Sequence, residues 1–402
     1  MPKEEWVGRT DALFHPIMAD GGGISQPDAA LRSITVPQLQ MIVEHAERML
    51  EADGGWQVSR QNEQGEWVEV TITDIDQVNL YDLDKHLIRP ATAGRRCSLA
   101  ELVSDEQQPP DEFVSHWWGE SIVDHLACLK QHSKDRFPDG QIDGHDVRYW
   151  VCAYCNNQHN LKAEVGVPLK QTSFYRAMKS ASCRGTVVVL DKAGVTFTRI
   201  WCVYEYFLST GSDETDFKFD MVTRLDEPQE SKDDYGRLIE AVCLMDGTCY
   251  EDERKTWNPA AQHKQEREQF FPVELVSLGV GFESGKAKAS VEADKDRIIR
   301  DIKQSGSSME ELDAAVRGRV AAAGTGLVVD DPAKLASFLE AVRAGGAPKL
   351  GIGPGVKTAK QVRMFLDSAV DDKLTDLYVG TEAIHAAVPE LLTRFGGLRV
   401  LK

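Results

Sequence analysis

The chain has 402 residues, enough for two to three domains and an ample core. Apolar residues make up 42% and charged residues 27%, the composition of an ordinary water-soluble globular protein. A net charge of −18 without a basic patch argues against a nucleic-acid partner, and the lack of an apolar run near the roughly 18 residues of a membrane span argues against a membrane.

The first residues, MPKEEWVGRT, lack the apolar core of a signal peptide. The eight cysteines (Cys97, Cys128, Cys152, Cys155, Cys183, Cys202, Cys243 and Cys249) are dispersed and do not form a dense framework. Reduced thiols in a cytoplasmic compartment are the expectation.

Residues 1–34, rich in Gly, Pro and Asp, read as an extended arm. A helix over 35–50 follows, with Leu39, Ile42, Val43, Ala46 and Leu50 on one face and Pro37 in its first turn. Residues 56–59 and 67–73 alternate around QNEQGE and predict a β-hairpin. A second helix over 80–88 is expected to end at Arg89 and Pro90. Residues 1–110 thus read as an extension of helix, hairpin and helix, with nothing in them that suggests chemistry.

The next part alternates strands and helices. A short strand over 113–115 precedes a helix with an Ile122, Leu126, Leu129 stripe, and a long loop over 132–146 leads to a buried strand over 149–155. Cys152, Cys155 and His159 look like half a zinc site. On a strand, however, residues three apart face opposite sides, so no metal is expected there. A helix over 173–182, a strand over 186–190 and a helix carrying Trp201, Cys202 and Glu205 come next. Then follow a strand over 217–223, a helix over 235–245, an apolar run over 273–280, and helices over 286–304 and 308–323, the last capped by Ser308.

Four pieces of this stretch carry a resemblance: FVSHWWGE at 113–120, SFYRAMKSAS at 173–182, GTVVVLD at 185–191 and WCVYE at 201–205. In this order they resemble the Toll/interleukin-1 receptor (TIR) domain. They match its F-x-S-F-R-G-E opening (here with one residue added before Gly119), its helix ending in A-I-x-x-S, its third strand and its W-C-x-x-E motif. The resemblance covers about a quarter of the chain. It implies a flavodoxin-like, doubly wound α/β sheet of about five parallel strands over 111–283, with the fifth at 273–280, and self-association through that domain. It also implies NAD as substrate with no cofactor, Glu205 as catalytic carboxylate, and Ser115, Trp117, Trp118, Gly119, Glu120, Asp191 and Trp201 around the substrate. Residues 156–172 take the position of the family's BB loop and keep its Gly and Pro as Gly166 and Pro168, in an otherwise divergent sequence.

The chemistry fits the residue types. Cleaving nicotinamide from ribose passes through an oxocarbenium-like state, which a carboxylate such as Glu205 stabilises. Trp117, Trp118 or Trp201 supplies a wall for stacking, and no metal is demanded. The expected geometry puts Glu205 at a cleft bounded by the 113–120 turn and the loop after Leu190. The plainer alternative makes Glu205 a surface helix residue and Trp201 a core anchor. Two other readings stay open: a catalytically silent adaptor acting by association, and a metal-dependent hydrolase built on His116, His125, His132, His145 and His159. The histidine spacings of 9, 7, 13 and 14 match no common ligand pattern.

After a helical connector over 284–325, Leu327, Leu350, Leu374 and Leu398 recur at spacings of 23, 24 and 24, each opening a short apolar run, with helix-like runs between. A strand and a helix per unit at this period resembles leucine-rich repeats, implying a short βα solenoid over 326–402 that offers a surface to a protein partner. The chain stops as the fourth strand starts, so the array is expected to be truncated or unusually short. An ordinary pair of βα units is the alternative.

Overall fold

The computed structural model describes residues 23–62, 64–137, 140–211, 217–230, 238–246, 268, 270–323, 349–352, 376–379 and 399–401. The chain is α/β, with a mixed sheet whose central strands are parallel. It divides into two compact units between Val189 and Leu190, inside the stretch expected as one domain.

In the first unit, β1 (Ile34–Thr35) runs into α1 (Val36–Ala52) through a capping box: Thr35 accepts from the Gln38 amide and the Gln38 side chain accepts from the Thr35 amide. The expected apolar face of α1 is buried, joined by Met49 and His45. Strands β2 (Trp56–Gln61) and β3 (Trp67–Ile72) form the expected hairpin, with Trp56 opposite Ile72 and Gln61 opposite Trp67. The following helical run differs from expectation. It passes from α2 (Leu80–Leu83) through a π-turn at Asp84–Ile88 into α3 (Arg89–Thr92), so Arg89 and Pro90 do not end it. The wider turn makes room for a ring that would otherwise clash with the carbonyl four residues back.

Helix α4 (Leu99–Val103) leads to β4 (Glu112–Ser115), whose four residues are all buried. Helix α5 (Ile122–Arg136) continues past His132 because His132, Ser133 and Arg136 are themselves buried. The rest of the expected loop is a small hairpin, β5 (Gln141–Ile142) and β6 (His145–Asp146). Its two-residue connection, Asp143-Gly144, has φ of 49° and 84°, the positive values that a tight hairpin turn demands. Strand β7 (Arg148–Val151) stops earlier than expected. Cys152–Cys155 form one helical turn, α6, so the strand reading of 149–155 fails in its second half. Helices α7 (Leu161–Glu164) and α8 (Ser173–Met178) precede β8 (Gly185–Leu190), buried throughout.

Strands β7 and β8 flank β4, and both run parallel to it. The adjacency expected for the strands at Phe113, Tyr149 and Thr186 is therefore present. Edge strand β1 pairs antiparallel with β7, Ile34 opposite Tyr149. Crossovers of one hand leading to opposite sides of β4 put their helices on opposite faces, the doubly wound arrangement. Continuous apolar runs in β7 and β8 fit strands covered on both faces.

In the second unit, α9 (Ile200–Thr210) is followed by β9 (Lys218–Glu230) and β10 (Leu238–Leu244), an antiparallel pair with Leu244 opposite Met221. Two expectations are overturned here. Residues 235–245, read as a helix, supply β10: exposure alternates over Leu238, Ile239, Glu240 and Ala241 before the strand becomes fully buried, a period of two. Residues 273–280, read as the fifth strand, form helix α10 (Val273–Val280), which buries Leu275, Val276, Gly279 and Val280, a helical period. A Cβ on Gly279 would meet Val320 Cγ1 at 2.8 Å, so this glycine permits the close approach of the later helix.

Helix α11 (Glu292–Gln304) starts six residues later than expected, and α12 (Met309–Ala323) begins after Ser308, whose hydroxyl accepts from Glu311 N at 3.0 Å. Phe197, Phe219 and Phe282 pack around Tyr206, with ring centroids 6.0, 5.6 and 5.8 Å away. No described helix is long and apolar enough to cross a membrane.

Near the end, β11 (Lys349–Ile352), β12 (Asp376–Val379) and β13 (Arg399–Leu401) form a parallel sheet in that order. The register differs from the expected alignment of leucines: Leu350 stands opposite Leu377, and Leu377 opposite Val400. Leu377, Tyr378 and Val379 hold the ladder, in keeping with the strand preference of aromatic and β-branched residues. Leu327, Leu374 and Leu398, and the helix-like runs between the strands, lie outside the described residues.

Candidate functional site

Chain direction places the turn after β4 and the turn after β7 at the same edge, the C-terminal edge of parallel strands, where open α/β sheets carry their reactive groups. Ser115 ends β4 and is buried. Residues 116–121 make the turn into α5, capped by the Ser121 hydroxyl, which accepts from Val123 N at 3.2 Å. Within the turn the Trp117 ring folds back over Gly119, where a Cβ would lie 2.1 Å from Trp117 Cζ2, so any larger residue there would have to displace that ring. Trp118 donates its indole N–H to Cys152 Sγ at 3.1 Å, accepts from Leu80 N at 3.0 Å, and lies 5.4 Å from the Tyr81 ring. The N-terminal segment, in which the sequence suggested no chemistry, therefore borders this turn.

Behind the turn His116 and His125 meet edge to face at 5.0 Å, and the Glu120 carboxylate lies 3.8 Å from His125 Nδ1. His116 Nδ1 lies 3.3 Å from the Val114 carbonyl, and its Nε2 lies 3.8 Å from Cys152 Sγ. Burial holds His116 neutral, down to about 4, and pushes His125 well below the ordinary histidine range, with His116 adding to the effect.

A pH dependence follows. The unfolded chain takes up a proton at His116 near 6.5 and the folded chain near 4, so stability is full above 6.5 and falls as pH drops toward 4. The loss from His116 is on the order of 3 kcal/mol, at about 1.4 kcal/mol per pKa unit. Thermal unfolding measured from pH 7 to pH 4.5 should show a shallower decline for His116→Gln than for the wild-type chain, and equal slopes would contradict the assignment.

The remaining expected site residues belong to the second unit. Asp191 closes the turn after β8, accepting from Val195 N at 2.7 Å and Ala193 N at 3.4 Å; burial raises its carboxyl above the usual range. Trp201 and Glu205 sit one turn apart on α9, both half-buried. The Arg297 guanidinium from α11 lies 5.2 Å above the Trp201 ring centroid, and the Tyr204 hydroxyl donates to Asp301 Oδ2 at 2.7 Å. Ser115, Trp117, Trp118, Gly119 and Glu120 are thus gathered in one turn of the first unit, while Asp191, Trp201 and Glu205 are held in the second.

The five histidines of the metal reading do not converge. His132 Nδ1 lies 2.9 Å from the Tyr149 hydroxyl, His145 Nδ1 2.9 Å from the Asp146 carbonyl, and His159 Nε2 2.9 Å from the Thr92 hydroxyl. Among the described residues, no group of three His, Cys, Asp or Glu is placed to hold a metal ion. Although Cys152 and Cys155 share one helical turn, Cys155 Sγ is buried and accepts the Val151 amide at 3.2 Å. Comparison with family models, with curated proteins and with solved structures gives no match for this chain.

Proposed function

We propose that the chain is a TIR-like signalling or defence protein that cleaves the bond between nicotinamide and ribose in NAD, with Glu205 as the carboxylate facing the developing positive charge. The observation that carries this reading is the strand order. The strand that opens FVSHWWGE lies between, and parallel to, the two strands expected beside it. In the reaction the C–N bond breaks, its electron pair goes to the nicotinamide nitrogen, and water or an adenine nitrogen of the same molecule takes the vacated carbon. Glu205 stabilises the oxocarbenium-like state. Nicotinamide leaves as a neutral base, so no acid is required.

One observation favours the adaptor instead. Arg297 already covers a face of Trp201, the aromatic one turn from Glu205, which suits a structural role for that ring. In either case the domain works by self-association, and the parallel strands β11, β12 and β13 suit a short βα stack that presents a surface to a protein partner. NAD turnover followed against protein concentration separates the two readings: activity per molecule that rises with concentration supports a site completed by association. Inert protein at every concentration supports the adaptor.

A further inference from the structure

Six of the seven described cysteines are buried, and Cys152 is the exception. It is the first residue after β7, while His116 is the first after the adjacent parallel strand β4. Its sulfur accepts the Trp118 indole N–H at 3.1 Å, a donor that favours electron density on sulfur. His116 Nε2 stands 3.8 Å from the same sulfur. The second ring nitrogen of His116, Nδ1, faces the Val114 carbonyl at 3.3 Å and donates to it, which leaves the Nε2 lone pair toward the thiol. His125 packs against the His116 ring at 5.0 Å and keeps it in this orientation. A nucleophile, a base oriented by a third group, and an N–H on the nucleophile are the parts of an activated thiol.

We propose that Cys152 is a reactive thiol, with His116 as its proton acceptor and Trp118 as its hydrogen-bond donor, and that it exchanges with low-molecular-weight disulfides. The balance is simple. Cys152 sulfur gives its proton to His116, whose charge, disfavoured by burial, is offset by the thiolate formed 3.8 Å away, and attacks one sulfur of the incoming disulfide. The sulfur–sulfur bond of that molecule breaks, and the leaving thiolate takes the proton from His116. The products are a mixed disulfide on Cys152 and one free thiol, the incoming disulfide being the oxidant. The site shares Trp118 with the surroundings expected for NAD but involves neither Glu205 nor the helix that carries it, so thiol exchange and NAD cleavage are read out separately.

The test treats the full chain with glutathione disulfide and follows each cysteine by peptide mass spectrometry under non-reducing conditions. Cys152 is expected to form the mixed disulfide at least about tenfold faster than any of the six buried cysteines, and His116→Gln to slow it about tenfold. Modification should change the tryptophan fluorescence of the wild type and not of Trp118→Phe, with reversal by dithiothreitol. Should His116→Gln fail to fold, Trp118→Phe serves as the kinetic variant, because it keeps an aromatic ring and loses the donor, and slower exchange is expected. Cys152 that stays unmodified in the folded chain, or reacts at the wild-type rate in the folded variants, overturns the proposal.

Discussion

Under the proposed function, Glu205→Gln is expected to lower NAD cleavage by roughly a hundredfold or more, the scale of losing one principal electrostatic contact in a transition state. Nicotinamide release is the measurement. Gln keeps the shape of the side chain and removes the charge proposed to face the oxocarbenium-like state, so the loss is expected to fall on turnover more than on binding. Thermal stability should change little, because Glu205 is half-buried on a helix whose packed face is made by Cys202, Val203, Tyr206 and Leu208. A Gln variant as active as the wild type would remove Glu205 from the mechanism while leaving the cleavage itself standing.

Trp150→Ala destabilises the first unit by about 3–5 kcal/mol, the usual range for emptying a buried aromatic position. Trp150 is fully buried in β7, stacks on Phe113 of the central strand at 5.3 Å, and donates its indole N–H to the Ala29 carbonyl at 2.9 Å. Truncation leaves a cavity beside β4 and an orphaned carbonyl, and it releases the segment before β1. Chemical denaturation checks the value; a loss below about 1 kcal/mol would mean that the site collapses around the smaller side chain.

The parts of the fold that were legible carried their own signals. Alternating residues gave the β2–β3 hairpin, the Thr35 cap and apolar stripe gave α1, and the apolar runs at Phe113, Tyr149 and Thr186 gave the central parallel strands. Where the reading failed, two periods competed. The runs at 235–245 and 273–280 are apolar and short, and such runs do not distinguish a buried helix from a buried strand. Burial of Ile239 beside exposed Glu240 settles one, and the spacing of Leu275, Val276, Gly279 and Val280 settles the other. The Asp143-Gly144 turn lies inside the stretch read as one long loop, and the two-residue strands that it joins are too short to carry a period of their own.

For the candidate site, the turn at 115–120 was legible from its motif. The role of Cys152 was not, because reading 149–155 as one strand set Cys152 and Cys155 on opposite faces and closed the question of what either contacts. The backbone leaves the strand after Val151, and that single change of direction brings Cys152 to Trp118 and His116. Contacts of this kind depend on where two separate strands end, and no local pattern encodes that.

The central claim is tested most directly by incubating the concentrated 402-residue chain with NAD and analysing the products. The account predicts free nicotinamide together with ADP-ribose or its cyclic form, in amounts that rise more than proportionally with protein concentration. Folded, self-associated protein that leaves NAD intact would contradict it.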